Sequence, residues 1–211
     1  MAGKLIFIEG VNGAGKSTQI KLLQEAYRNV LFTKEPFRLD ANCLNFLPTD
    51  DPLELAFLMA ADRAAHMRNL IPELEYFDII CDRGPLSTMA YQGTALRDFF
   101  NWDKRAMPAW SFLWTVNEWA MRGIPVAATI VLTVPPEVAV KRVKLRAKSI
   151  GESCPKKYLE DLKRAADWYH NSAFGQSAGA WVGEPYHVDA NRPINEVFAD
   201  VDTIIKNTLA S

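Results

Sequence analysis

The chain has 211 residues, 49% hydrophobic and 23% charged, which suits one compact domain with a real core and is too apolar for disorder. Its 24 basic residues balance 25 acidic ones to a net charge of -1, which argues against a dedicated nucleic-acid binder. Cys43, Cys81 and Cys154 are far apart and form no CxxC pair, so neither a zinc ribbon nor a redox pair is expected, and a reducing compartment suits them. The opening MAGKLIFIEG reads as a strand rather than a signal peptide, and no apolar run is long enough for a bilayer. The expectation is a cytoplasmic protein with no membrane partner.

In chain order, short apolar runs at Leu5–Ile8, Val30–Phe32, Ile79–Cys81, Thr129–Leu132 and Tyr186–Val188 are the predicted strands, with helical lengths of chain between them. Such alternation predicts βαβ units: a three-layer α/β fold with a mostly parallel five-stranded sheet covered on both faces. No linker, repeat or low-complexity tract divides the chain, so residues 1–211 read as a single domain. Asp51-Pro52-Leu53-Glu54 has the pattern of a capping box with proline at the first helical position. Pro135-Pro136-Glu137 opens a helix after the fourth strand, and Asn191, before Pro193, is expected to open the last one. The stretch from Arg97 to Arg122 carries Trp102, Trp110, Trp114 and Trp119, for which packing around a core is expected over stacking on a nucleobase.

The strongest chemical signal follows the first strand. Gly10-Val11-Asn12-Gly13-Ala14-Gly15-Lys16-Ser17 matches GxxxxGK[ST] in full, between the strand Leu5–Ile8 and the amphipathic segment Thr18–Tyr27. Glycines allow a backbone curl whose N–H groups face phosphate oxygens, and the helix adds its positive end. Lys16 is placed to neutralise the terminal phosphates and the Ser17 hydroxyl to hold Mg2+. This predicts a nucleoside-triphosphate site. By itself it does not separate a kinase from a GTPase, a motor or a switch. The guanine-reading NKxD motif is absent, and the short chain favours a kinase for a small acceptor.

Three further clusters fall at strand ends or inside helices. Cys81-Asp82-Arg83 closes the third strand, where a parallel sheet exposes its ligand crevice. There Asp82 can orient a magnesium shell and Arg83 can bridge phosphates, although a purely structural Asp–Arg pair would give the same pattern. Glu35-Pro36 follows the second strand. Asp62-Arg63 interrupts an otherwise apolar helical stretch, as expected of a side chain aimed into a cleft or of a solvated helix face.

These residues, in order, resemble the thymidylate kinases, a branch of the nucleoside-monophosphate kinases. The likeness runs through Phe7-Ile8-Glu9-Gly10, the phosphate loop to Thr18-Gln19, Phe32-Thr33-Lys34-Glu35-Pro36, Ala60-Ala61-Asp62-Arg63 and Cys81-Asp82-Arg83. It continues through Leu86-Ser87-Thr88, Ala90-Tyr91-Gln92-Gly93, Val134-Pro135-Pro136-Glu137-Val138 and Val188-Asp189-Ala190. The resemblance implies transfer of the ATP γ-phosphoryl group to dTMP, with Mg2+, in a homodimer. It implies that Arg63 approaches the thymine ring, Arg83 holds the monophosphate and Thr88 bonds the pyrimidine. Tyr91, beside Gln92, disfavours a 2′-hydroxyl, Glu35, Pro36 and Phe37 form the acceptor edge, and Asp189-Ala190 lie near the adenine.

The basic run Lys141–Lys148 opens a lid expected over about residues 141–157. Members of this family carry an arginine either in the phosphate loop or in the lid. This loop has Gly13 and Ala14, so the lid must supply the cation, from Arg146 or, one turn earlier, Arg142. The sequence departs from the family at Asn12, where an acidic residue is usual, and at Phe37 and Arg38, where glycines are usual. It also has Met59 in place of a phenylalanine that stacks on thymine. A flexible thioether there predicts a more tolerant base pocket. The rival readings are a kinase for a modified deoxyuridylate or a deoxynucleoside, and a nucleotide-binding switch.

Overall fold

The computed structural model describes residues 3–39, 51–99, 106–150, 153–171 and 182–211. Five strands form one sheet: β1 (Leu5–Glu9), β2 (Val30–Lys34), β3 (Asp78–Asp82), β4 (Val126–Thr133) and β5 (Glu184–Asp189). They lie in the order β2-β3-β1-β4-β5, and every neighbouring pair is parallel. The predicted strands were thus placed correctly and fall one to three residues short at their ends. β1 lies at the centre and is wholly buried, which is why it reads as an unbroken apolar run rather than an alternating one.

Helices surround this sheet. α1 (Lys16–Ala26) follows β1, and α2 (Pro52–Glu73) runs between β2 and β3. After β3 the chain winds through α3 (Pro85–Thr88), a π-helical turn at Met89–Gly93 and α4 (Thr94–Phe99). Then come α5 (Ala106–Ala120), α6 (Pro136–Ser149), α7 (Lys156–Asn171) and α8 (Ile194–Ala210). The core joins β1, β3 and β4 to Leu23, Met67, Leu70, Val143, Leu162 and Val201 from the covering helices. Each such side chain, fully buried, contributes about 1.5–3 kcal/mol relative to exposure. A smaller cluster of Ala56, Met89, Leu96 and Leu113 seats α5 against α2 and the π turn.

Helix starts follow the expected chemistry in part. The Asp51 carboxylate accepts from the N–H groups of Leu53 and Glu54, with Pro52 at the first helical position. α6 begins at Pro136, as its Pro-Pro-Glu start predicts. α8 does not begin at Asn191. It begins at Ile194 with no side-chain cap, and the Asn191 N–H donates instead to the Asp189 carboxylate. Among the tryptophans, Trp114 packs on both clusters, whereas Trp119 is 80% exposed. Trp102 and the Trp110 side chain lie outside the described residues, as do Cys43 and residues 151–152 of the expected lid.

Candidate active site

The C-terminal ends of β1, β3 and β4 converge on one crevice. After β1 the chain turns through Gly10, Gly13 and Gly15, all at positive φ. Two of these have a second reason to lack a side chain. A Cβ on Gly10 would lie 2.5 Å from the Leu132 carbonyl oxygen, and one on Gly13 would lie 2.7 Å from the Ala139 carbonyl oxygen. The loop is therefore pressed against β4 on one side and against α6 on the other. No side chain caps α1, and its positive end opens on a cavity of about 250 Å3. Lys16, Ser17, Thr18, Arg142 and Arg146 line that cavity with the loop.

Lys16 is buried and donates to the carbonyls of Gly10 and Val11 at 2.8 and 3.1 Å. Burial, followed by the nearby Arg83 charge, pushes its pKa down to about 7. The two lid-run arginines part company. Arg142 donates to the carbonyls of Gly13 and Ala190 and so ties α6 to both the loop and the β5 end. Arg146, one turn on, is exposed over the cavity. A second donor-side hollow of about 220 Å3 is bounded by Gly15, Gln19, Arg142, Ala190, Arg192 and Ile194. Ala190 is at this hollow, whereas the Asp189 carboxylate is occupied in the turn to Asn191.

At the end of β3, Arg83 sits at φ 74, a left-handed conformation strained for a residue with a side chain. Its N–H donates to the Ile8 carbonyl, which holds it there. Its guanidinium donates to the Asn12 side-chain oxygen at 2.7 Å and to the Ser87 hydroxyl at 3.0 Å. Ser87 donates in turn to Glu9, which also receives the Tyr169 hydroxyl of α7. Burial raises the Glu9 pKa, the bonds from Ser87 and Tyr169 and the Arg83 charge offsetting only part of it. Beside them, Asp82 Oδ1 is buried and has no hydrogen-bond partner among the described residues.

Across Arg83 lies a further cavity of about 260 Å3, lined by Glu35, Pro36, Met59, Arg63, Thr88, Tyr91 and Gln92, with Asn12, Arg83, Ser87 and Tyr158. Arg63 is only 3% exposed. Its guanidinium donates to the Glu35 carboxylate at 2.6 Å, to the Gly84 carbonyl at 3.0 Å, to Thr88 Oγ1 at 3.2 Å and to Asn117. Burial pushes the Glu35 carboxyl up, but the Arg63 charge and bonds from His66 and Arg63 prevail and hold it below its usual range. The cavity floor is thus a buried ion pair held from four sides, which is affordable only because every charge is bonded.

Most of the residues expected at the acceptor side are brought to this cavity. Phe37 is not. Its ring stacks on His66, with centroids 4.7 Å apart and planes 9° from parallel, and its N–H donates to Asp62. Asp62 also accepts from the N–H of Arg38, so it shapes the loop after Pro36 rather than facing a ligand. Phe57, two residues before Met59, points outward and meets Phe112 edge to face. Sequence reading missed His66, Asn117, Tyr158 and Tyr169. Their signal was present as isolated polar groups on apolar helix faces, but nothing local distinguishes such a residue from a solvated one.

A parallel sheet with a phosphate loop on one side of a guanidinium and a second nucleotide-sized cavity on the other defines a P-loop nucleoside-monophosphate kinase. Residues 8–201 match the family model described as thymidylate kinase, and the chain belongs to that family. It is 36% identical to the thymidylate kinase of Caldicellulosiruptor saccharolyticus over 71% of this chain and 73% of the relative. It is 32% identical to a probable thymidylate kinase of Saccharolobus solfataricus over 98% of both chains. A probable thymidylate kinase of Pyrobaculum calidifontis is 33% identical over 98% of this chain and 97% of its own length.

Proposed function

We propose that the chain transfers the γ-phosphoryl group of ATP to dTMP, giving dTDP and ADP. One observation carries the reading: Arg83 lines the acceptor cavity and its guanidinium bonds Asn12, the residue that lines both this cavity and the phosphate-loop cavity, while its charge acts on Lys16. The acceptor phosphate is itself the nucleophile, so no covalent protein intermediate is required. Catalysis then consists of alignment and charge neutralisation. Lys16 takes the donor phosphates, Arg83 the acceptor phosphate and Arg146 the group in transit. Arg142 holds the α6 helix against the loop. Arg63 and Thr88 read the pyrimidine, Met59 covers it, and Tyr91 crowds the sugar.

The residues fit a magnesium ion: Ser17 lines the phosphate-loop cavity, the Asp82 carboxylate acts electrostatically on Lys16 and its Oδ1 has no hydrogen-bond partner among the described residues, and Mg2+ in such sites takes few protein oxygens. When bound, the ion draws charge from the phosphates; Ser17 would hold it and Asp82 would orient its waters. Among the described residues no helix is long and apolar enough to cross a membrane, and the reading places the enzyme in the cytoplasm. A homodimer belongs to it too, supported by Phe57, Phe112 and Trp119, exposed on α2 and α5.

The test is an acceptor screen with ATP and magnesium, read by coupled ADP release. ADP release that depends on dTMP supports the reading. Release that ignores every monophosphate, or that needs an unphosphorylated nucleoside, sinks it. Light scattering at twice the chain mass tests the dimer, and Trp119→Asp should shift it toward the monomer.

A further inference from the structure

Three walls of the acceptor cavity meet on one residue. The Asn12 side-chain oxygen accepts from Arg83 at 2.7 Å, its Nδ2 donates to the Tyr158 hydroxyl at 2.8 Å, and its backbone N–H donates to the Tyr91 hydroxyl at 3.0 Å. The direction of each bond is fixed by chemistry. A guanidinium has only donors, so the amide oxygen must face Arg83 and the amide nitrogen must face Tyr158. A backbone N–H can only donate. Both tyrosine oxygens therefore accept from Asn12, and each keeps its own O–H proton. Among the described residues, neither proton has an acceptor in a hydrogen bond. Both rings line the acceptor cavity. Burial, with Tyr91 nearby, raises the Tyr158 pKa, so its hydroxyl stays protonated.

We propose that Asn12 sets the hydrogen-bond polarity of this wall, making Tyr158, with Tyr91, a donor to an oxygen of the acceptor nucleotide. The wall then presents two O–H groups and a guanidinium as donors, which is complementary to a phosphate oxygen or to the lone pairs of a sugar hydroxyl. A carboxylate at position 12, equal in shape, would reverse Tyr158. Having no proton to give, it would accept a hydrogen bond from the phenol O–H and turn the lone pairs of Tyr158 toward the ligand. Tyr158 is thus an acceptor-binding residue for this chain and Asn12 its positioning residue.

This rests on the phosphoryl-acceptor reading of the cavity, which dTMP turnover by the unaltered protein checks separately. The experiment is a double-mutant cycle of Asn12→Asp and Tyr158→Phe. Its readouts are dTMP affinity by equilibrium titration, KM for dTMP, KM for ATP and kcat. Tyr158→Phe should weaken dTMP binding about tenfold, the worth of one good hydrogen bond, while KM for ATP stays within about twofold. Asn12→Asp should weaken it more, since it adds charge, but at least about threefold less in the Tyr158→Phe background than in the wild type. A 3′-deoxy analogue tells which oxygen is met. If the Tyr158→Phe effect vanishes with it, the partner is the sugar hydroxyl; if it persists, the phosphate. Either result upholds donation. Equal effects of Asn12→Asp in both backgrounds would overturn the proposal. So would a Tyr158→Phe variant that turns over dTMP more slowly but binds it unchanged, because Tyr158 would then only fasten α7 to the loop.

Discussion

The two cavities are built by opposite means. The donor side is mostly backbone. Its N–H groups, turns, helix end and Lys16 come from one contiguous stretch, Gly10–Ser17, and its arginines arrive from one helix, α6. The acceptor side is mostly side chain. Arg63 from α2 is fixed by Glu35 after β2, Thr88 from α3, Asn117 from α5 and the Gly84 carbonyl. A backbone cradle tolerates change in its side chains but not in its turns. A side-chain lattice has the reverse sensitivity, because each member leaves a buried partner unsatisfied when lost. The donor side should therefore break in catalysis alone, the acceptor side in stability and catalysis together.

The largest effect is expected from Glu35→Ala. It strands the Arg63 charge and should cost about 3–5 kcal/mol of unfolding free energy, with acceptor use lost, as read by denaturant titration beside kinetics. Glu35→Gln together with Arg63→Met should recover part of that stability and none of the activity. If Glu35→Ala melts like the wild type, the lattice description is wrong. Lys16→Ala should lower kcat by about 100- to 1000-fold, the usual loss for a group facing developing charge, without lowering the melting temperature. Near-normal turnover would remove the phosphate-loop assignment.

Lys16 also gives a pH signature. Its value falls from 10.5 to about 7 in the folded protein, so the unfolded chain holds the proton more tightly. The resulting instability is complete below about pH 7 and fades as pH rises toward the unfolded value. Stability of the wild type should gain on that of Lys16→Ala across this window, measured by melting at several pH values. ATP restores the charge on Lys16, so its binding should take up protons, more at about pH 8 than at about pH 6, as calorimetry in buffers of different ionisation heat will report.

Within the donor side, Arg146→Ala should reduce kcat about 100-fold with little change in KM for dTMP, whereas Arg142→Ala should act mainly on KM for ATP. The reverse pattern would exchange their roles. The smallest effect belongs to Met59→Phe. A rigid ring adds about 0.5–1.5 kcal/mol beyond its area, so the variant should prefer dTMP over dUMP up to about tenfold more strongly than the wild type. Strict dTMP selectivity in the wild type would show that the thioether packs as well as a ring.

The same contrast explains what could be read from the chain. The five strands and the phosphate loop were legible because each depends on neighbours in sequence: buried β1 as an apolar run, Gly10–Ser17 as spaced glycines before a helix. Of the acceptor cavity, Glu35, Arg63 and Arg83 were legible as charges at strand ends and in an apolar helix, whereas their assignment to a nucleotide came through family resemblance and held only in part. Phe37 was expected at the ligand, yet its N–H is drawn to Asp62 and its ring lies on His66. Those partners sit 25 and 29 positions away, and no local pattern announces such a pairing. Asn191 failed as a helix start for a nearer reason: it sits in the turn closed on the Asp189 carboxylate, two residues before Pro193, which takes the N-cap position itself. Tyr158 and Asn117 were invisible because a polar residue becomes a site only when distant elements bring it a partner.

The contact between Gly13 and α6 reaches beyond local packing. Any side chain at 13 would collide with the Ala139 carbonyl oxygen, and Arg142 grips the Gly13 carbonyl from the same helix. The backbone there, at φ 87, is hostile to a β-carbon as well. An arginine moved into the loop at this position would therefore not substitute for Arg146. It would first have to push away the helix that carries Arg146. The two places for the cation are mutually exclusive states of one joint, and passage from one to the other takes at least two coordinated changes. A library that randomises only positions 13 and 146 should yield no active exchange, and adding position 139 should not rescue it, because the atoms in the way are the backbone of the helix and only a shift of α6 itself removes them.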